Sequence, residues 1–441
     1  AKKIVKVVEA LERQKIVKVP DPENKGKFIE KEEDDPDWAK ARSILTELLN
    51  NRAEMKSYDR SVVWNYWGYI YFSDEDYDQA MYAYEQLLKE PEATIPLRTA
   101  SLLTLAQLNM VKERWDKGIS LILQWMNEVE NVTAQSYYLL ASAYFQKNDY
   151  VRARSNMEEA IRLAEEEGYR PRENWYVLLA ACFSELKDKK IISAQFALEQ
   201  QVGIYEILVN YYPKKQYFLQ LGGTYQQMDR EEDYMLTLKA AYDKDLLNKE
   251  GEYLALAQML LLKKNPYWAA QVLVSGQQKK VTITDEDTGE EEVVAVVKEK
   301  EKTLKLLADA WRMAQEIDMA IPVLEKAAKM SKDGDTYVLL GNLYLFEDRM
   351  KDSIRAIEAG LKKPKVKSRS QALLVLGQAH FELQNFEEAK KHFRAAARDK
   401  NKRIKKTANS WIKYAENEEI RVKNLALRRD FIQQSKAKAK S

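Results

Sequence analysis

Few side chains in this chain could do chemistry, and none of them stands in a catalytic pattern. The 441 residues include two histidines, His380 and His392, and a single cysteine, Cys182. The histidines are 12 positions apart, and no Cys or carboxylate accompanies them at the spacing of a metal site or an activated nucleophile. Cys182 follows Ala180 and Ala181 in an apolar segment, where a thiol usually packs as a small hydrophobic group. We therefore expect no enzymatic activity, no bound metal and no cofactor.

The composition is typical of a helix-rich chain, with 45% hydrophobic and 32% charged residues and only 14 Gly and 10 Pro. No apolar run approaches the roughly 20 residues of a membrane-spanning helix, so we expect no membrane span. Residues 398–441 hold 14 Lys or Arg against five Asp or Glu. This basic end could contact anionic lipid, nucleic acid or an acidic protein, or it could be a solvated helix face. No motif that reads a specific nucleic-acid sequence accompanies it.

A small residue recurs nine times along the chain, each time directly after Leu or Trp. We call these positions the anchors: Gly68, Ala106, Ala141, Ala180, Gly222, Ala257, Ala308, Gly341 and Gly377. Successive anchors are 33 to 51 residues apart, close to the roughly 34-residue period of a repeat built from two helices. In most units a large side chain follows three positions after the anchor, and a second small residue follows twelve positions after it. This pattern predicts an array of helical hairpins that cross at small residues.

From residue 61 to residue 399 the pattern resembles the tetratricopeptide-repeat family. The resemblance implies an all-α fold, a right-handed superhelical solenoid of nine repeats, and a function in binding other proteins. Outside the repeats we expect an amphipathic helix over residues 4–19 and a mobile charged linker, together covering residues 1–37. A solitary capping helix is expected within residues 38–60, and basic capping helices with a tail within residues 400–441.

An insertion at residues 281–297 has the pattern of one β-hairpin, because two β-branched runs flank Gly289. It could be a contact arm that offers a strand edge to a partner through Ile283, Val294 and Val296. The alternative is a tolerated surface insertion, since long loops cost little free energy.

In the tetratricopeptide family the first helix of each repeat lines the binding surface, with exposed positions three before the small residue and one, four and five after it. Carried onto this sequence, the rule predicts a surface rich in amides and aromatics. Its partner-binding candidates are Asn65, Tyr69, Phe72, Gln107, Tyr138, Ser142, Phe145, Gln226, Asn342 and Phe381. Such a surface suits an extended peptide or a partner helix. The alternative is that many of these aromatics pack between adjacent helices.

A second resemblance is to bacterial repeat proteins encoded beside TonB, ExbB and ExbD energy-transducing systems. The segments that carry it are residues 64–72 (WNYWGYIYF), 75–80 (EDYDQA), 172–179 (RENWYVLL), 211–223 (YYPKKQYFLQLGG) and 306–311 (LLADAW). The resemblance implies a periplasmic scaffold that helps a proton-driven motor engage outer-membrane transporters. The alternative is a cytoplasmic assembly scaffold or regulatory adaptor unrelated to transport. The start at Ala1 fits either cleavage of a signal peptide or removal of an initiator Met.

Overall fold

A computed structural model describes residues 2–20, 28–284 and 289–438, and most of these residues are helical. The chain divides into two compact units, Ala1–Arg230 and Glu231–Ser441. The described elements of the first unit, in chain order, are α1 Lys2–Leu11, β1 Gln14–Pro20, β2 Phe28–Asp34, α2 Trp38–Asn50, α3 Ser57–Ser73, α4 Tyr77–Leu88, α5 Ile95–Val111, α6 Trp115–Glu128, α7 Ala134–Gln146, α8 Tyr150–Glu166, α9 Glu173–Asp188, α10 Ala194–Tyr211 and α11 Lys215–Gln227.

The second unit contains ten further helices and two strands among its described residues. They are α12 Glu231–Asp243, α13 Glu250–Leu262, α14 Pro266–Gln278, β3 Lys280–Thr284, β4 Glu291–Ala295, α15 Glu301–Met313, α16 Ile317–Met330, α17 Asp335–Phe346, α18 Met350–Leu361, α19 Arg369–Glu382, α20 Phe386–Ala396 and α21 Lys402–Lys438. Within each unit, consecutive helices pack as antiparallel hairpins. Helices α11 and α12 of the fifth predicted repeat fall in different units.

All nine anchors lie on the first helix of their predicted hairpin, and all nine are buried. The seven predicted small residues twelve positions later are buried too: Ala80, Gly118, Ala153, Ala269, Ala320, Ser353 and Ala389. The prediction of an all-α fold built on small-residue helix crossings is therefore confirmed.

The anchors are small because a side chain of the second helix occupies the space beside them. A Cβ atom placed on Gly68 would lie 2.6 Å from the ring of Tyr84. One on Gly341 would lie 2.5 Å from Ile357. One on Gly377 would lie 2.5 Å from Phe393. The contacting residue is 16 positions after the anchor in all three hairpins, so the contact repeats with the fold.

The turn between the two helices is also regular. Seven positions after eight of the nine anchors, a non-glycine residue adopts a positive φ: Glu75, Glu113, Asn148, Asp229, Lys264, Gln315, Asp348 and Gln384. A left-handed residue directly after a helix ends it and lets the chain reverse. In the fourth repeat the turn is longer, and Lys190 takes this conformation ten positions after the anchor.

The N-terminal region differs from the prediction. The first helix ends at Leu11, and the segment that was expected to continue it forms strand β1. This strand pairs antiparallel with β2, so Lys15 faces Glu33 and Lys18 faces Glu30 across the ladder. The expected mobile linker is therefore wrong for residues 28–34, while residues 21–27 lie outside the described residues.

The N-terminal cap is also a helix pair rather than a solitary helix. Val7 and Ala10 of α1 are buried in one cluster with Ala41 and Leu45 of α2. The predicted C-terminal capping helices form one helix, α21, of 37 residues. The predicted hairpin at 281–297 is confirmed as β3 and β4, although residues 285–288 lie outside the described residues. With β1 and β2, the described residues contain two hairpins rather than one.

Replacing Gly341 by Ala should destabilise the protein by about 1–3 kcal/mol, because the added methyl would overlap Ile357 in a packed hairpin. The matched control is Gly223→Ala, also within a first helix, where a Cβ meets no atom within 4 Å. That change should be neutral or stabilising, since Ala favours helices over Gly. Chemical denaturation checks both variants. Equal effects in the two variants would show that the anchor contact does not set helix packing.

Candidate functional site

The first helices expose a defined set of positions. At about 100° per residue, the positions one, four and five after an anchor lie on one side of the helix, away from the anchor's own contact. All nine residues directly after an anchor are half-buried or exposed, although every anchor is buried. We call this set of positions the first-helix face.

In the first unit, part of the predicted surface is open. Tyr69 and Phe72 are exposed by 48% and 46%, and Gln107 is also exposed. Asn65 is half-buried beside them on α3, and the ring of Tyr69 lies 6.0 Å from that of Trp38. Farther along, Gln226 on α11 is exposed. These residues are available to a partner, and their role in binding remains a prediction.

Other predicted surface residues take part in packing. Tyr138 stacks on Trp175 at 5.5 Å, and its hydroxyl accepts a hydrogen bond from Asn174. Ser142 donates to the Tyr138 carbonyl at 2.8 Å. Phe145 meets the ring of Tyr150 edge-on at 5.1 Å and packs against the core. Truncation of Tyr138 or Phe145 would therefore lower stability as well as any binding.

Phe381 is a correction to the predicted surface. It is buried against Phe386, Trp411 and Tyr414, with ring centroids 5.1 to 5.7 Å away. Two of these rings belong to α21, so the C-terminal helix covers this part of the ninth repeat. Phe381 is therefore a core residue and not a contact residue.

The second unit contains an open groove of about 600 Å³ between α15 and α17. We call it the α15/α17 groove. Its lining residues are Arg312, Gln315, Glu316, Ile317, Asp318, Leu339, Asn342, Leu343, Phe346 and Glu347. Asn342 was predicted here, and it is half-buried with its amide nitrogen bonded to the Val338 carbonyl at 2.9 Å.

Phe346 stands at the rim of this groove with 76% of its surface exposed. It lies five positions after its anchor. The same position is exposed and apolar in the two preceding repeats, as Leu262 (72%) and Met313 (48%). Three successive repeats therefore present an apolar residue at one position of the first-helix face. The prediction of amides and aromatics missed Leu262 and Met313, which the spacing alone would have found.

The groove combines an apolar surface with an acidic rim. Leu343 and Phe346 supply the apolar surface, and the lining includes three carboxylates, Glu316, Asp318 and Glu347, against one cation, Arg312. Arg312 itself pairs with Asp309 at 3.2 Å. Such a site can hold an apolar side chain whose neighbours are basic.

The three predicted contact residues of the β3–β4 hairpin differ in their exposure to solvent. Ile283 is 42% exposed and Val294 is half-buried. Val296 lies beyond the end of β4 and is buried, with its amide donating to the Lys279 carbonyl at 2.9 Å. Val296 is therefore part of the hairpin's attachment and is not available to a partner.

Among the side chains that could do chemistry, Cys182 is buried and His380 and His392 are half-buried. Cys182 is buried, and its burial raises the pKa of the thiol to about 12. His380 and His392 stack with ring centroids 5.4 Å apart. Burial lowers the pKa of both imidazoles. Within residues 2–20, 28–284 and 289–438, no group of three His, Cys, Asp or Glu residues is placed to hold a metal ion. No helix in that part of the chain is both long and apolar enough to cross a bilayer.

Residues 134–167 and 338–403 match sequence profiles of the tetratricopeptide repeat. The chain contains tetratricopeptide repeats. The first matched segment covers α7 and α8, and the second covers most of α17 through α20, including Asn342 and Phe346 of the groove. Tetratricopeptide repeats generally bind other proteins along extended surfaces. No curated protein matches this sequence.

Three solved structures match this chain at low sequence identity and with TM-scores below 0.5. MamA is 19% identical, with 42% of this chain and 92% of MamA covered and a TM-score of 0.34. A tetratricopeptide-repeat protein from Parabacteroides merdae is 13% identical, with 64% and 98% covered and a TM-score of 0.26. YrrB, described as a TPR protein with an unusual peptide-binding site, is 14% identical, with 45% and 91% covered and a TM-score of 0.33.

The stacked histidines predict a pH dependence of stability. Burial holds the pKa of both imidazoles below its ordinary value near 6.5, and repulsion from His380 lowers the pKa of His392 further. Glu358, Glu388 and Lys391 contribute weaker charge effects. The unfolded chain therefore binds more protons than the folded chain as pH falls below about 6.5. The folded state loses stability below this pH and keeps it above this pH. A His380→Phe, His392→Phe variant should lose less melting temperature than the wild type between pH 7.5 and pH 5.5. Identical pH profiles for the two proteins would contradict this origin.

Proposed function

We propose that this protein is a non-catalytic scaffold, an accessory component of a TonB-type energy-transduction system in the periplasm. It would hold a partner protein of the motor or of an outer-membrane transporter on its first-helix face. The repeat fold supports the scaffold function, because such repeats bind proteins along extended surfaces. The resemblance of segments such as residues 64–72 and 211–223 to TonB-associated repeat proteins supports the transport system and the compartment.

The α15/α17 groove carries the binding part of the proposal. An exposed phenylalanine at the rim of an open groove loses water-exposed apolar area when a partner covers it, and buried aromatic anchors dominate many interfaces. Asn342 and Gln315 lie in the same groove and can bond to the backbone of an extended segment. Leu262 and Met313 extend the apolar surface along the two preceding repeats.

The charges of the groove restrict the partner segment. Its three carboxylates against one cation favour lysine or arginine beside the apolar residue that enters the groove. An acidic segment would meet like charge at Glu316, Asp318 and Glu347. The expected ligand is therefore an extended basic segment with one or two large apolar residues.

Two synthetic peptides of equal length test this chemistry. Both carry a central Leu and Trp, one flanked by lysines and the other by glutamates. Fluorescence anisotropy should show binding of the lysine peptide and little binding of the glutamate peptide. Phe346→Ala should weaken binding of the lysine peptide by about 30-fold, the effect of losing a central anchor worth about 2 kcal/mol.

The matched control is Leu236→Ala, which removes a 50%-exposed apolar side chain from α12, a second helix of the same unit. It should leave the affinity unchanged. Equal affinity of the two peptides, or equal effects of the two variants, would show that the groove is not the binding site.

The role in transport has a separate test. Deletion of the gene should reduce energised uptake through the outer membrane while transporter and motor proteins remain at normal levels. Wild-type protein should restore uptake, and Phe346→Ala should restore it only in part. Normal uptake in the deletion strain would leave a cytoplasmic scaffold as the better account, even if the peptide experiment succeeds.

A further inference from the structure

Helix α21 extends well past the core that holds it. Its first half packs on the ninth repeat through Ala408 and Ala415, which are fully buried, and through Trp411, which stacks on Phe393 at 5.5 Å. Val422 is the last residue of this contact. Every residue from 423 to 436 is exposed. This part of the helix therefore projects from the described residues of its unit.

A buried ion pair fixes the rotation of α21 about its own axis. Lys390 of α20 bonds to Glu419 at 2.7 Å, and the two side chains are only 9% and 15% exposed. This pair holds the pKa of the Glu419 carboxyl at about 2. Together with Ala408 and Ala415, it sets the inner side of α21, so the opposite side must face outward.

The outward side of α21 changes from cationic to apolar along the length of the helix. At about 100° per residue, eight positions among residues 402–436 fall within a sector of about 60° on the side away from the packed alanines. They are Lys402, Lys406, Asn409, Lys413, Ile420, Asn424, Leu427 and Phe431, and all eight are exposed. We call this sector the outer face of α21. It is cationic in its first half and apolar in its second half.

The cations of the outer face have no ion-pair partner among the described residues. Among the described residues, no carboxylate lies within ion-pair distance of Lys402, Lys406 or Lys413, nor of Lys405 at the edge of the face. The acidic residues of α21 are mostly engaged elsewhere: Glu416 with Arg394, Glu418 with Arg421, and Glu419 with Lys390 and Lys423. The helix carries 11 Lys or Arg against four Asp or Glu. Its field therefore attracts anions.

The apolar half leaves large side chains in water. Ile420, Leu427 and Phe431 are exposed by 58%, 66% and 71%. Their spacing of seven and four residues makes a stripe roughly 16 Å long on one side of the helix. Exposed apolar side chains aligned in this way mark a contact surface more often than a solvated one.

We propose that the outer face of α21 docks on an anionic phospholipid membrane. The lysines would lie among the headgroups, and Ile420, Leu427 and Phe431 would enter the boundary with the acyl chains. Interfacial helices combine these two features, a basic polar part and a stripe of Leu or Phe. Anionic lipid attracts each nearby lysine, so charge and apolar contact act on the same surface.

Two other occupants fit less well. A nucleic acid would use the lysines but would leave Ile420, Leu427 and Phe431 without a contact. A second copy of the helix would bring two strongly basic surfaces together. In a heptad that places Ile420 and Leu427 at its first position, the fourth position holds Lys423 and Asp430, which disfavours a coiled coil.

Vesicle co-sedimentation of the full chain tests the proposal. The protein should sediment with phosphatidylcholine vesicles that contain phosphatidylglycerol and remain in solution with pure phosphatidylcholine. High salt should weaken the binding because it screens the lysines. Size-exclusion chromatography with light scattering, and gel shift with a DNA duplex at the same salt, report the two alternative occupants.

Two variants separate charge from apolar contact. Changing Lys402, Lys405, Lys406 and Lys413 to Gln should lower the partition coefficient at least about tenfold. Leu427→Gln with Phe431→Gln should lower it by about tenfold at unchanged charge. The control removes four exposed lysines elsewhere: Lys89→Gln, Lys117→Gln, Lys302→Gln and Lys351→Gln. Circular dichroism should show native helix content in all three.

The control should keep most of the wild-type binding. An equal loss of vesicle binding in the control would show that only the net charge of the protein matters, and it would overturn the proposal that the outer face is the site. Failure of the wild type to bind vesicles overturns the proposal. DNA binding without vesicle binding, or loss of a dimer in the Leu427, Phe431 variant, would assign the face to nucleic acid or to a second copy instead. None of these outcomes depends on the α15/α17 groove, so the function proposed above is tested separately.

Discussion

The close contact between an anchor and the residue 16 positions later is the constraint on which the hairpins depend. Gly68 lies under Tyr84, Gly341 under Ile357 and Gly377 under Phe393, each with no room for a Cβ atom. Because interiors are packed like crystals, this contact fixes both the separation and the rotation of the two helices. The rotation in turn decides which side chains face outward. As a consequence, the residues one and five positions after the anchor are half-buried or exposed in all nine predicted repeats.

The helical repeats were predictable because their determinants are local in sequence. Anchors, second small residues and turns recur at fixed spacings, and the anchor and the side chain that fills the space beside it are only 16 positions apart. The N-terminal strands were not predictable from the sequence, because residues 14–20 mix apolar and cationic side chains in a pattern that also fits an irregular amphipathic helix. Their pairing joins Lys15 to Glu33 and Lys18 to Glu30, residues that are 18 and 12 positions apart in the sequence. Such non-local charge matching leaves no periodic signal in a single strand.

The residues of the candidate site could be predicted only in part from the sequence. Of the residues that the family rule selected, Tyr69, Phe72, Gln107 and Gln226 are exposed, and their role in binding stays a prediction. The rule failed at Phe381, because Trp411 and Tyr414 of α21 cover that side chain. Contacts with an element outside the repeats cannot be inferred from the repeat pattern. Leu262 and Met313, which share the position of Phe346 in the two preceding repeats, were overlooked because the prediction favoured amides and aromatics over aliphatic residues.

We propose that a partner protein lies on the first-helix face of the second unit. Photo-cross-linking in cells tests this most directly, with a benzophenone amino acid placed singly at positions 262, 313 and 346 on first helices and at 236 and 351 on second helices. The account predicts the same cross-linked partner from all three first-helix positions and no adduct from the two second-helix positions. Adducts from positions 236 and 351, with none from 262, 313 and 346, would contradict it.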